Sequence, residues 1–168
     1  IPALALNSEQ VTDLVALIKD PPPEEEEFIL DLFINRIPAG VDQAAYIKAA
    51  FLADVAKSNL KTPLINNILA TELLGTMLGG YNVEPLIDLL ENEEVGEIAA
   101  GALSNTLLIF DAFHDVFELS HKNDRAKKVI SSWAEAEWFL KRQEIPDCIT
   151  AKVLKVEGEI NTDDLSPG

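Results

Sequence analysis

The sequence predicts an all-α fold built from stacked antiparallel helix pairs, a short superhelix followed by one C-terminal β-strand. Three observations predict it. Apolar residues recur at helical spacing from Val11 to Leu140. Proline and paired glycine fall between the periodic segments, where they end helices. Finally, the pattern echoes itself: Leu14-Val15-Ala16-Leu17-Ile18, a turn and an apolar helix resemble Leu86-Ile87-Asp88-Leu89-Leu90, an acidic turn and an apolar helix. HEAT and armadillo repeats have this form, and such pairs bury their apolar faces only by stacking on neighbours.

The first helix carries Val11, Leu14, Val15, Leu17 and Ile18, is capped by Asn7 or Ser8, and ends at Pro21-Pro22-Pro23. Glu24 to Glu27 open the second, with Phe28, Ile29, Leu32 and Phe33. Four carboxylates there suit the positive end of the helix dipole and read as structural, not as a metal site. Asp42 caps a third helix through Tyr46, Ala49, Ala50, Leu52, Ala53 and Ala56. Thr62-Pro63 reads as the cap and first position of a fourth, running through Ile65 to Met77 and closed by Gly79-Gly80.

Asn82 begins a short helix over Pro85 to Leu90. After Glu91-Asn92-Glu93-Glu94 a helix from Ile98 to Phe110 is apolar nearly all round and is expected at the centre. Phe110, Phe113 and Phe117 share one face of the next helix. A last one runs from Asp124 to about Leu140 with Val129, Ile130, Trp133, Ala136 and Leu140 inward. Beyond Pro146 the period changes, and Cys148 to Val156 reads as a strand.

A length of 168 residues suits one domain or one domain with a short appendage. The balance of 13 basic against 29 acidic residues gives a net charge of −16, the wrong sign for direct nucleic-acid contact or for an anionic membrane surface. No apolar stretch is long enough to cross a membrane. One cysteine, Cys148, permits neither an internal disulfide nor a cysteine-rich metal site and fits a reducing, cytoplasmic compartment. The opening Ile1-Pro2-Ala3-Leu4, without Met or a basic leader, and the abrupt close at Gly168 read as cuts in a longer chain.

Little in the sequence carries chemistry. Gly75 to Gly80 ends a helix and does not follow a strand, so it is no phosphate loop; the Gly75/Gly79 spacing marks close helix approach or a cap. Cys148 reads as a half-buried strand residue in preference to a nucleophile. Asp111, His114 and Glu118 share helical spacing that could gather a metal, but His114 beside Phe110 and Phe117 reads better as an edge-of-core histidine. His121 near a helix end suits the dipole. Trp133 and Trp138 lie on different faces, one for the core and one for a neighbouring element.

Several stretches resemble one family. They are Glu25 to Leu32, Asn35-Arg36-Ile37-Pro38-Ala39-Gly40-Val41-Asp42, Glu72 to Asn82, Ser131 to Leu140 and Gly158 to Pro167; Leu73-Leu74-Gly75-Thr76-Met77 and Trp133-Ala134-Glu135-Ala136-Glu137-Trp138-Phe139-Leu140 are the most diagnostic. In the family's order, they resemble the N-terminal part of bacterial aconitase B, the aconitate hydratase 2 / 2-methylisocitrate dehydratase family. The resemblance implies a HEAT-like domain over residues 1–145, with a linker and the truncated first strand and loop of the swivel domain over 146–168. It implies a parent that interconverts citrate and isocitrate through cis-aconitate in the tricarboxylic acid cycle on a [4Fe–4S] cluster, held by cysteines absent from this stretch.

The domain itself is then expected to be non-catalytic, with no cofactor or metal of its own. Its role would be contact with the remaining aconitase domains, self-association of the parent enzyme and contact with other metabolic enzymes. The family is also linked to mRNA; at −16 this domain would act there through assembly and not by touching RNA. Thr162-Asp163 resembles the family's swivel-domain loop near the active-site cleft, and two readings of Asp163 stay open: an active-site-adjacent carboxylate in the intact enzyme, as the resemblance implies, or an Asp that hydrogen-bonds its own turn backbone. Asp164 stands where other aconitases often have His. Two rival readings are an independent acidic helical-repeat adaptor and a metal enzyme using Asp111, His114 and Glu118.

Overall fold

The computed structural model describes residues 4–106, 110–137 and 148. Among them the regular structure is entirely helical: α1 (Ser8–Lys19), α2 (Glu26–Asn35), α3 (Gln43–Ala56), α4 (Asn67–Gly75), α5 (Val83–Leu89), α6 (Gly96–Ser104), α7 (Phe110–Ser120) and α8 (Asp124–Ala134). The all-α expectation holds over these residues. The strand expected from Cys148 to Val156 lies outside them apart from Cys148.

Helix starts follow their caps. Asn7 Oδ1 accepts from the Gln10 N–H at 2.9 Å while Gln10 Oε1 accepts from the Asn7 N–H at 3.0 Å, a reciprocal box that fixes the first turn of α1. Asp42 accepts from Ala44 N at 2.7 Å and Asn123 from Ala126 N at 3.0 Å. The second helix starts later than its glutamates suggest, because Glu24 sits at φ 70° and cannot join the helix.

Other boundaries correct the sequence reading. Thr62-Pro63 does not open α4: Thr62 Oγ1 accepts from the Ile65 N–H at 3.1 Å in a turn of its own, and Asn66 caps the helix by accepting from Leu69 N at 2.8 Å. Nor does α4 reach Gly79-Gly80. It stops at Gly75, where Thr76 donates to Leu73 O at 2.7 Å and buried Asn82 donates to Leu74 O at 2.8 Å and Met77 O at 3.3 Å. Side chains thus take the last carbonyls and end the helix.

The helix expected from Ile98 to Phe110 ends at Ser104 for the same reason. Asn105 donates to Gly101 O at 2.8 Å and Thr106 to Ala102 O at 2.9 Å. Ala136 at φ 53° terminates α8 well short of Leu140, which lies outside the described residues.

The helices pack as successive pairs, α3 with α4, α5 with α6 and α7 with α8. On one side α4, α6 and α8 pack in file; on the other α1 meets α3 and α5 meets α7. Helix α6 touches α4, α5 and α8, the central place its composition predicted, with Ala99, Ala100 and Leu103 fully buried. Several large apolar side chains are not in the core: Phe28 is 62% exposed, and α7 buries Ala112 and Val116 while Phe113 and Phe117 face outward.

Candidate interaction surface

The chemical candidates scatter. His114 and Glu118 are exposed on α7, so His114 is not an edge-of-core histidine; the Asp111 side chain lies outside what is described. Among the described residues no three His, Cys, Asp or Glu side chains converge to hold a metal ion. Phe117 meets the exposed His121 edge-on at 5.0 Å. Trp133 is buried and donates through Nε1 to Leu103 O at 2.9 Å, while Trp138 lies outside the described residues. Cys148 is exposed. Thr162, Asp163 and Asp164 also fall outside them.

What the fold does assemble is a surface. The loop before α3 and the loop after α4 are held together where Leu78 N–H donates to Ala39 O at 2.7 Å and Gly79 backs onto the Gly40 carbonyl, so closely that any side chain at 79 would collide with it. This pairing displays Val41, 82% exposed, and Leu78, 83% exposed, on adjacent loops. Large apolar side chains held open in this way are what an interface core needs. Their loops are far apart in sequence, so periodicity offered no signal for them.

Beside this apolar edge, Tyr46 of α3 meets Tyr81 edge-to-face with ring centroids 5.4 Å apart. The two rings open a groove of about 280 Å³ between α3 and α5, with Ala49, Ala50 and Pro85 along it. Glu84 lines the groove, and at its other end Lys57 pairs with Asp88 at 2.6 Å. The small side chains of Ala49 and Ala50 on α3 leave the space.

Among the described residues one ionisable side chain, that of Lys48, is buried. Lys48 is 4% exposed, with Nζ donating to Ile34 O at 3.2 Å and lying 5.4 Å from the Phe33 ring centroid. Loss of hydration pulls its pKa down to about 8. At the other extreme, the exposed Glu97 carboxyl is held below its usual range by hydrogen bonds from Lys128 and Arg125. Neither arrangement positions a reactive group beside a second one.

Comparison with known proteins settles the lineage. The model of the Aconitate B N-terminal domain matches residues 1–139. The chain belongs to that family. The chain is 57% identical over 163 residues to aconitate hydratase B of Salmonella typhimurium, covering 96% of the chain and 19% of that protein. It is 56% identical over 163 residues to aconitate hydratase B of Escherichia coli, with the same coverage, and 48% identical over 170 residues to that of Helicobacter pylori, covering 99% of the chain and 20% of the relative. The chain therefore spans about a fifth of the length of the curated relatives it matches.

Proposed function

We propose that this domain is a non-catalytic interaction and assembly module of an aconitate hydratase, the hydro-lyase that interconverts citrate and isocitrate through cis-aconitate in the tricarboxylic acid cycle. Family membership supports the parent activity. The observation that carries the assembly role is the Val41–Leu78 edge, two large apolar side chains held in solvent by a loop-to-loop hydrogen bond. The successive helix pairs support a HEAT-like reading of residues 1–145, and the change of period after Pro146 supports assigning 146–168 to the next domain.

The parent's [4Fe–4S] cluster requires several thiolates, and these 168 residues contain one. The donor set does not fit the cluster, so its ligands belong to other parts of the enzyme. Partners on this reading are the remaining aconitase domains, a second copy of the enzyme and other metabolic enzymes, in the cytoplasm. A net charge of −16 argues against direct nucleic-acid contact. Family membership disfavours an independent adaptor.

The test is a Val41→Asp, Leu78→Asp double variant of the full-length enzyme. Both positions are exposed, so the melting temperature is expected to stay unchanged while sedimentation velocity shows an altered assembly state. An assembly state identical to that of the unmodified enzyme overturns the reading.

A further inference from the structure

Resting on that assembly reading, we propose that the groove between α3 and α5 is the docking slot for an arginine-bearing basic segment of a separate partner protein. Three features of the groove select that chemistry. Tyr46 and Tyr81 stand edge-to-face at its mouth, and Tyr46 is 51% exposed, so ring surface is presented to solvent. A planar guanidinium stacks on such surface and is attracted by its quadrupole. Glu84, on the next turn of the same side of the groove, makes no ion pair among the described residues and supplies the anionic end.

The far end is closed by the Lys57–Asp88 pair, which cancels its own charge and leaves Glu84 as the unneutralised group. Charge also decides between occupants. At −16 an acidic segment is not drawn in, whereas a basic segment is attracted from a distance and then held by the tyrosines.

The test titrates the full-length enzyme with an acetylated, amidated hexa-arginine peptide, followed by relaxation-optimised amide cross-peaks. Saturable shifts centred on Tyr46, Tyr81 and Glu84 are expected. Tyr46→Ala and Glu84→Gln are each expected to weaken binding about fivefold or more. Glu27→Gln, the same charge change at an exposed site on α2, is expected to weaken it by less than about twofold.

Shifts spread evenly over the acidic surface, equal losses in all three variants, or the same cross-peaks moving with chain concentration alone overturn the proposal; the last would assign the slot to a second copy. The two readings fail separately. If the peptide misses the groove while the Val41→Asp, Leu78→Asp enzyme still loses its assembly state, only the slot falls. If the peptide fills the groove and assembly is unaffected by those substitutions, the slot stands and the assembly role falls.

Discussion

Gly75, the last residue of α4, faces Ala102 of α6 at such short range that a β-carbon at position 75 would stand 2.9 Å from that of Ala102. The backbones of α4 and α6 approach because neither residue carries more than a methyl group. Gly75→Val should therefore separate the two helices and destabilise the domain by about 1–3 kcal/mol. Adding Ala102→Gly should recover part of the loss, read as denaturation midpoints in urea. No recovery would place the damage elsewhere than at this contact.

Leu103 is fully buried on α6, the helix that touches three others. Leu103→Ala should cost about 2–5 kcal/mol from lost burial and the cavity left behind. Equilibrium denaturation measures this directly, and a cost well below 1 kcal/mol would make α6 peripheral.

Lys48 makes stability depend on pH in an unusual direction. Its folded pKa of about 8 lies below the ordinary 10.5 because burial penalises the ammonium. The unfolded chain then binds more protons between these two values, so this group makes stability rise as pH climbs from about 8 to 10.5. Below pH 8 the whole penalty is present. Lys48→Met should thus stabilise the domain at pH 7 by about 1–3 kcal/mol, less than the full shift because the bond to Ile34 O and the contact with Phe33 are lost with it. The gain should shrink toward zero by about pH 10.5. A difference between the two proteins that stays constant across this range would refute the assignment.

Asn82 is buried, and its side-chain amide donates to Leu74 O in the last turn of α4 and to Met77 O in the loop after it. Asn82→Ala removes the side-chain donor from both carbonyls, leaving Leu74 O only the backbone N–H groups of Thr76 and Met77, and should cost about 1–2 kcal/mol. Thermal unfolding of the variant checks it, and an unchanged midpoint would mean that water replaces the amide at no cost.

In the intact enzyme, Asp163→Asn should lower kcat by at least about tenfold with the fold intact, if the resemblance of its loop to the swivel-domain loop extends to its role. Steady-state kinetics with cis-aconitate decide it; unchanged kinetics would leave Asp163 a turn residue.

Helix identity was legible in the sequence wherever a cap preceded a clean apolar period, as at Asn7 and Asp42. It failed where side chains override the period. Thr62-Pro63 has the form of a helix start, yet the Thr62 hydroxyl serves Ile65 in a separate turn. The run from Ile98 looked continuous because Asn105 and Thr106 are unremarkable in composition, but both reach back to carbonyls of α6. Aromatic spacing placed Phe113 and Phe117 together correctly, stacked at 5.8 Å, although small Ala112 and Val116 form the buried stripe. The interaction surface was illegible for a different reason. Val41 with Leu78, and Tyr46 with Tyr81, are long-range neighbours that only the packing of pairs brings together.

The donors of α8 and its cap reach consistently in one direction. Asn123 and Arg125 donate to Leu90 O, Arg125 also to Asn92 O, and Trp133 to Leu103 O, so the last helix holds the carbonyls that end α5 and α6. Asn82 does the same for the end of α4. Each pair thereby completes the one before it, and removing any of them strips partners from its predecessor. Opening of the last pair therefore also takes donors from the pair before it, which couples the two. The slowest-exchanging backbone amides in α4, α6 and α8 should share a single opening free energy, equal to that of global unfolding.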